Sequence, residues 1–189
     1  MTWGILQNYA KVFGLTFIND DFFYARIGII NNVFNGVCRV FWGGLYDKLN
    51  FRGCFILIGT IVTACIAILP FLSYLEAESL TAKVMYGLVM TILYCSFPGI
   101  YAVIAATVSD AFGPDHYQSN FGLLITCNIA YAGAIFIITK ISSVYAFLGY
   151  TGMFITSAVI GVIGLAVVFF MPKILDSNII KKKYILKIQ

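Results

Sequence analysis

Charge and histidine are both scarce in this sequence. Charged side chains make up 11% of its 189 residues, against about 25% in a soluble domain, and His116 is its one histidine. A metal site built on several histidines is therefore excluded. The apolar stretches also hold no Ser/His pair and no paired aspartates that could form a catalytic centre. We expect neither an enzyme nor a bound metal, and no cofactor is predicted.

Paired cysteines are also missing. The five cysteines share a position inside apolar stretches and form no CxxC motif: Cys38, Cys54, Cys65, Cys95 and Cys127. Cysteine often behaves as a small apolar residue. We therefore interpret all five as reduced packing residues rather than as a redox or metal site.

Apolar residues dominate what is present. They make up 61% of the chain, and the mean hydropathy is +0.93, which is more apolar surface than a water-soluble core of this length buries. One spanning helix takes roughly 20 residues, and a helix satisfies its own backbone in lipid. The sequence predicts an all-α integral membrane protein with six transmembrane helices, at about residues 2–18, 24–46, 53–75, 81–109, 118–139 and 146–171.

The basic residues are unevenly distributed between the two sides of such a bundle. We divide the chain into a transmembrane part, residues 1–172, and a basic cytoplasmic tail, residues 173–189. Arg26, Lys83 and Lys140 then lie near the outer ends. The basic residues on the inside are Lys48, Arg52, Lys173, Lys181, Lys182, Lys183 and Lys187. The positive-inside rule predicts a multi-pass protein with both termini cytoplasmic, and lysines beside anionic lipid do not indicate a nucleic-acid partner.

The second predicted helix carries a polar face. Asn32, Asn35 and Arg39 are spaced by three or four residues, so they share one side of the helix. An arginine at the bilayer centre costs at least ~2.5 kcal/mol and seldom faces lipid, and its guanidinium suits a carboxylate. We expect Arg39 to line a hydrated cavity and bind an anionic substrate. A structural ion pair or gate, and snorkelling to the cytoplasmic interface, are the alternatives.

Small residues and a proline mark where helices are expected to meet or bend. Two groups of glycines, one in the second helix and one in the last, suit close helix packing: Gly28, Gly36, Gly43 and Gly44, and Gly149, Gly152, Gly161 and Gly164. Pro98 and Gly99 interrupt the long fourth helix, so a kink is predicted there.

The connection after the second helix carries a motif. Residues 43–52, GGLYDKLNFR, resemble the loop motif of the major facilitator superfamily, Gly-x-x-x-Asp-Arg/Lys-x-Gly-Arg-Arg/Lys. The positions that match are Gly43, Asp47, Lys48 and Arg52, whereas Asn50 replaces a glycine and Phe51 an arginine. The resemblance implies that Asp47 stabilises one state of a gate and that Gly43 allows close approach. The alternative is a plain loop that Asp47 caps and the basic residues anchor.

A narrower resemblance covers nearly the whole chain. Residues 11–21 (KVFGLTFINDD), 35–39 (NGVCR), 112–114 (FGP) and 120–124 (NFGLL) are similar to the oxalate/formate antiporter family and its monocarboxylate-transporter relatives. There these stretches lie in helices seven to twelve, which implies a C-terminal six-helix half-bundle whose first helix begins late here. Arg39 matches an arginine implicated in binding the anionic substrate. Asn128 stands where oxalate-specific members carry a second cation, a lysine, which favours a monocarboxylate over a dianion. Asn128 and Tyr131 share a face, as substrate ligands or as packing residues.

The leading hypothesis is therefore the C-terminal half of a secondary transporter of small organic anions such as formate, lactate, pyruvate or oxalate, working by alternating access. Its partners are expected to be the substrate, the lipid bilayer, and a missing N-terminal half or a second chain. No acidic residue lies deep within a predicted span, which favours exchange or facilitated diffusion over proton coupling. The alternative is a non-transporting six-helix membrane subunit with a structural or regulatory role. A channel is disfavoured because no filter or charged ring is visible.

Overall fold

The computed structural model describes the backbone of residues 10–76, 78–140 and 142–170, and their side chains except those of 127–148 and 150. This part of the chain is helical and holds no strand: α1 runs over Asp21–Leu72, α2 over Leu80–Lys140 and α3 over Ser142–Phe170. Each helix contains a stretch long and apolar enough to cross a membrane. The all-α prediction is confirmed in this form, and the predicted tail lies outside the described residues.

Each of the three helices is interrupted at one residue. Asn50 in α1 (φ 59°, ψ 177°), Gly113 in α2 (φ 72°, ψ 172°) and Gly149 in α3 (φ 60°, ψ −179°) leave the helical region in the same way. Without its interruption, the 52 residues of α1 would extend about 78 Å at 1.5 Å per residue, far beyond the roughly 30 Å of the hydrocarbon layer. The connections that the predicted spans leave at 47–52 and 110–117 therefore reduce to single non-helical residues.

The first parts of α1 and α2 lie side by side and run in the same direction. Asn31 contacts Thr91, Trp42 contacts Cys95, and further along Tyr46 contacts Asp110. Because the residue numbers rise together, Asp20 and Lys83 lie at one end, which we call the ion-pair end. Asn50 and Gly113 lie at the other, which we call the break end.

The second part of α1 packs against α3 in the opposite direction. A Cβ atom built on Gly59 would lie 2.7 Å from Leu165 Cδ2, and one built on Gly161 would lie 2.5 Å from Thr63 Oγ1. The two helices thus approach closely at glycines, as predicted for Gly161. Numbers rise along one helix as they fall along the other, so the last turn of α3 reaches the break end.

Aromatic side chains hold the segment before α1 against the bundle. The Tyr86 hydroxyl donates to the Ala10 carbonyl oxygen at 2.9 Å, and that of Tyr24 donates to the Ile18 carbonyl oxygen at 3.2 Å. The ring of Phe13 meets that of Phe154 in α3, with centroids 5.1 Å apart. Residues 10–14 are helical and a turn follows. The rest of the predicted first helix, residues 2–9, lies outside the described residues.

Ion pairs gather at the ion-pair end. Asp20 caps α1, since its Oδ1 accepts the Phe23 N–H at 2.9 Å, and its Oδ2 lies 3.0 Å from Lys83 Nζ. The Phe23 N–H, followed by Lys83, lowers the pKa of the Asp20 carboxyl below its usual 3.8. Lys11 Nζ lies 3.3 Å from Asp21 Oδ1, which places one more basic residue at this end than the sequence analysis did.

The backbone of α2 keeps helical φ/ψ at Pro98 and leaves it at Gly113, so the kink predicted at Pro98 stays a prediction. Pro98 and Gly99 are buried, and the Trp42 indole packs on Gly99. A Cβ atom at position 99 would lie 2.6 Å from Trp42 Cγ. Pro98 and Gly99 therefore form a packing surface for the side chain of Trp42, and the helix is not interrupted at these two residues.

Candidate functional site

The polar face predicted for the second helix is present on the first part of α1. Asn32 and Arg39 are exposed and Asn35 is half-buried. Arg39 Nη2 donates to Asn35 Oδ1 at 3.4 Å, one turn earlier in the same helix. This is a long hydrogen bond, and it uses one of the five guanidinium N–H groups. The structure therefore brings Asn35 and Arg39 together and places Asn32 on the same side.

Arg39 lies well inside α1 rather than near an end. Eighteen residues separate it from Asp21, the first residue of α1, and eleven from Asn50, or about 27 Å and 16 Å at 1.5 Å per residue. Its hydrogen bond is to Asn35, on the side away from the break end. The described contact thus holds the guanidinium back from the nearer end, in the direction opposite to snorkelling.

The glycines on this helix meet nothing in the described chain. A Cβ atom built on any of Gly28, Gly36, Gly43 and Gly44 has no neighbour within 4 Å. The apolar residues beside them are uncovered as well: Val33, Val37 and Val40 are 62%, 64% and 80% exposed. The close packing predicted for these glycines is therefore not made within the described chain, and α1 is open on the side of Arg39 that carries Gly36 and Gly43.

A second polar row, which the sequence analysis missed, lies beside the Arg39 face and fixes α1 to α2. Asn31 is 2% exposed; its Oδ1 lies 2.9 Å from Thr91 Oγ, which is also 2.8 Å from the Gly87 carbonyl oxygen. The Thr91 hydroxyl has one proton and can donate only one of these two hydrogen bonds. If it donates to Gly87, the Asn31 side-chain amide, turned so that its NH₂ faces Thr91, donates the other. The available signal was the spacing of Asn31 from Trp42 and Tyr46, which repeats along one helical face.

Trp42 and Tyr46 continue this row towards the break end. Trp42 Nε1 donates to the Cys95 carbonyl oxygen at 2.8 Å, and the buried Tyr46 hydroxyl lies 3.1 Å from Asp110 Oδ2. Asn31 precedes Arg39 by two turns and Trp42 follows it by one. The helix that carries Arg39 is thus held by specific hydrogen bonds on both sides of that residue, which fixes the direction of its open face.

The four motif residues are placed differently from one another. Asp47 and Lys48 are exposed, and Gly43 is half-buried, although a Cβ atom built on it would have no neighbour within 4 Å. Arg52 reaches α3: its guanidinium donates to the Phe169 carbonyl oxygen and lies 5.3 Å from the centroid of the Phe169 ring. Of the predicted gating residues, only Arg52 is brought against another helix by the described contacts.

Asn50 explains one departure from the motif. It occupies the motif's glycine position and has φ 59° and ψ 177°, a combination that is essentially restricted to glycine. Asparagine tolerates positive φ better than most other residues. The position where the motif has glycine therefore has a backbone conformation that favours glycine, and a strained asparagine adopts it here.

The remaining predicted residues carry less structural information. Asn128 and Tyr131 belong to helix α2. Their side chains, and that of Cys127, lie outside the described part of the structure. Cys54 and Cys65 are buried, whereas Cys38 and Cys95 are half-buried, and all four are free thiols. Among the described residues, no group of three His, Cys, Asp or Glu side chains is placed to hold a metal ion.

Comparison with known proteins finds a similarity to a transporter. The chain is 31% identical to the oxalate:formate antiporter of Oxalobacter formigenes over 97 residues, which make up 51% of this chain and 22% of that protein. The matched region thus spans less than a quarter of the relative. No family model matches the chain, and no solved structure does. Together with the apolar helices, the similarity indicates a membrane protein related to a transporter rather than to an enzyme.

Proposed function

We propose that this chain is the C-terminal six-helix half of a major facilitator superfamily transporter that moves small organic anions by alternating access. One observation carries the proposal: a single cation, Arg39, lies well within an apolar helix on an open polar face. A charge in that position is costly and marks a functional site. The similarity to an antiporter whose name states two carboxylate substrates, oxalate and formate, supports the same class of ligand.

The chemistry of the face suits one carboxylate. The Arg39 guanidinium offers two parallel N–H groups to the two carboxylate oxygens, and the hydrogen bond to Asn35 orients it. Asn32, with Asn128 and Tyr131 on α2, would supply neutral donors around the rest of the anion. One fixed positive charge balances a monoanion such as formate or lactate better than a dianion such as oxalate.

The proposal assigns the missing wall of the site to another six helices. In transporters of this architecture the substrate lies at the interface between two repeats. The interruptions at Asn50 and Gly113 would divide α1 and α2 into four spans, which with the part of α3 after Gly149 and the segment before α1 make the six that one such half needs. Met1 is then an internal position of a longer protein, or a second chain supplies the other half.

The proposed orientation puts the break end in the cytoplasm. Lys48 and Arg52 lie at this end, while Lys11, Arg26 and Lys83 lie at or near the ion-pair end. When the lysines of the tail are counted on the cytoplasmic side, that side has more basic residues than the outer side, which favours a cytoplasmic break end. Arg52 against Phe169 and the exposed Asp47 would then form part of the inward gate.

The test is transport by the complete protein carrying substitutions at Arg39. Arg39→Ala and Arg39→Lys should both abolish uptake of labelled formate and lactate, because lysine keeps the charge and loses the two-pronged donor. Arg26→Ala, an exposed arginine near the ion-pair end, is the matched control and should transport normally. Saturable uptake at the wild-type level by both Arg39 variants would exclude this site.

A non-transporting membrane subunit is the second candidate. The observation that favours it is the uncovered face of α1, which a different membrane protein could cover as well as a second half could. Sequencing the full-length transcript separates the two. Six further spans in frame before Met1 support the transporter, whereas a start at Met1, with co-purification of a second chain and no uptake, supports the subunit.

A further inference from the structure

A groove lies between the second part of α1 and the last part of α3; Ile100 of α2 also lines it, and Arg39 does not. Its volume is about 220 Å³, and it extends from Phe55 to Thr63 on α1 and from Gly161 to Val168 on α3. At 1.5 Å per residue these walls are about 12 Å and 10 Å long. Apart from Thr63, the lining residues are apolar, so the groove suits a hydrocarbon chain.

Glycine determines the depth of the groove. Gly161 is in close contact with Thr63, and there the two helices meet. One turn further along α3, Gly164 also lines the groove, yet a Cβ atom built on it has no neighbour within 4 Å. The groove is therefore open where Gly164 lacks a side chain, and a larger residue at that position would occupy it.

A cation stands at one end of this apolar groove. Arg52 precedes Phe55 by one turn on α1 and contacts Phe169, the neighbour of Val168 on α3. Its described hydrogen bond uses one of five guanidinium donors, so the others are available to an anion. Lys48 is exposed four residues before Arg52, on the other side of the interruption at Asn50, which adds a second positive charge at the break end.

We infer that this groove binds an anionic phospholipid, with one acyl chain between α1 and α3 and the phosphate at Arg52. An apolar groove that ends at a guanidinium matches the chemistry of such a lipid, which joins a long hydrocarbon tail to a negative headgroup. Basic residues close to a membrane surface attract anionic lipid, and guanidinium binds phosphate through several hydrogen bonds. The inference rests on the chain lying in a membrane and is independent of the proposed transport.

The test is lipid retention by the full 189-residue chain purified in a non-ionic detergent. Native mass spectrometry would count the phosphatidylglycerol and phosphatidylcholine molecules retained from an equimolar mixture. The wild type should retain one phosphatidylglycerol in preference to phosphatidylcholine. Arg52→Gln should lower this preference about fivefold, the factor that corresponds to the ~1 kcal/mol per basic residue near anionic lipid, while Arg52→Lys should keep most of it.

Gly164→Leu tests the acyl-chain part of the inference. The leucine would fill the groove, so the variant should lose the retained lipid of either headgroup. Gly122→Leu is the matched control, since Gly122 also has no neighbour within 4 Å and lies outside the groove. It should retain phosphatidylglycerol as the wild type does.

Two results would overturn the inference. Wild-type retention by Gly164→Leu would show that the groove is not the site, and an unchanged lipid preference in Arg52→Gln would show that Arg52 does not bind the phosphate. Helical content by circular dichroism checks that each variant is folded. If Gly164→Leu does not fold, the headgroup preference of Arg52→Gln decides, because that side chain lies at the edge of the groove.

Discussion

Trp42 sits on Gly99 and donates its indole N–H to the carbonyl oxygen of Cys95, one turn earlier in the same neighbouring helix, at 2.8 Å. This contact joins the first parts of α1 and α2 just after Arg39. It depends on the absence of a side chain at position 99, where a Cβ atom would lie 2.6 Å from Trp42 Cγ. The geometry around Arg39 therefore depends on a glycine of the neighbouring helix.

Replacement of Gly99 by alanine should destabilise the protein. The added methyl group forces the indole away from its seat, and overpacking of this kind costs about 1–3 kcal/mol. The free energy of unfolding in detergent, followed by circular dichroism, measures the loss. Gly122→Ala is the control, because position 122 is open and alanine favours the helix by up to ~1 kcal/mol. Equal stability of the two variants would contradict the packing described for Trp42.

The two neighbouring asparagines of α1 should respond differently to substitution. Asn31 is buried against Thr91, whereas Asn32 is exposed on the Arg39 face. A double-mutant cycle of Asn31→Ala with Thr91→Val should give a coupling of about 0.6 kcal/mol, the average for hydrogen bonds between membrane helices. The same cycle with Asn32→Ala should give none. In uptake assays the order should reverse, with Asn32→Ala raising KM for the anion more than Asn31→Ala does.

Asn50→Gly should stabilise the protein. Asn50 has φ 59° and ψ 177°, a region in which non-glycine residues are strained by about 1–3 kcal/mol, and glycine removes that strain. Thermal unfolding in detergent measures the gain. The reciprocal change, Gly113→Asn, places the same residue at the matching interruption of α2 and should destabilise by a similar amount. A loss of stability in Asn50→Gly would contradict the backbone conformation at this position.

Stability should depend on pH through Asp20. Its pKa in the folded protein is below 3.8, so its contribution is fully present above that pH and is lost as the pH falls through the folded value. Asp20→Asn keeps a residue that caps helices well but removes the charge. Denaturant midpoints on either side of pH 3.8 should show a smaller acid-induced drop for this variant than for the wild type. An equal drop in the two proteins would assign the effect to other carboxylates.

A second cation near the proposed site should change substrate preference. On the proposed resemblance to the oxalate/formate antiporter family, Asn128 would correspond to the lysine of its oxalate-specific members. Asn128→Lys should therefore raise uptake of oxalate relative to formate, because a dianion then meets two positive charges. Competition of unlabelled oxalate against labelled formate measures the change, and Asn128→Gln is the neutral control. An unchanged ratio in Asn128→Lys would remove this residue from the proposed site.

The sequence was sufficient for the helical class and the polar face, but not for which residues form contacts. A chain with low charge and long apolar stretches can satisfy its backbone in lipid by forming helices, so the all-α membrane class follows from composition. Asn31 and Asn32 both fit a polar helix face by type, and only the position of Thr91, some 60 residues away, separates a buried contact from an open one.

The connections were predicted too long for a related reason. The polar residues around Asn50 and Gly113 are typical of loops. The backbone that carries them nevertheless stays helical, because the chain changes direction at a single residue. Positive φ at one position is not visible in hydropathy. The motif's glycine position was the available signal, since glycine is the residue that such a backbone favours.

The parallel arrangement of the first parts of α1 and α2 also affects how the protein is made. Parallel neighbours cannot be adjacent in sequence, and 60 residues separate Asn31 from Thr91. At roughly 5–20 residues per second, synthesis reaches Thr91 about 3–12 s after Asn31. During those seconds the buried amide and the indole of Trp42 lack their partners on α2. The orientation of the helix that carries Arg39 is thus fixed only when α2 arrives, which makes this pairing a late and vulnerable step of membrane assembly.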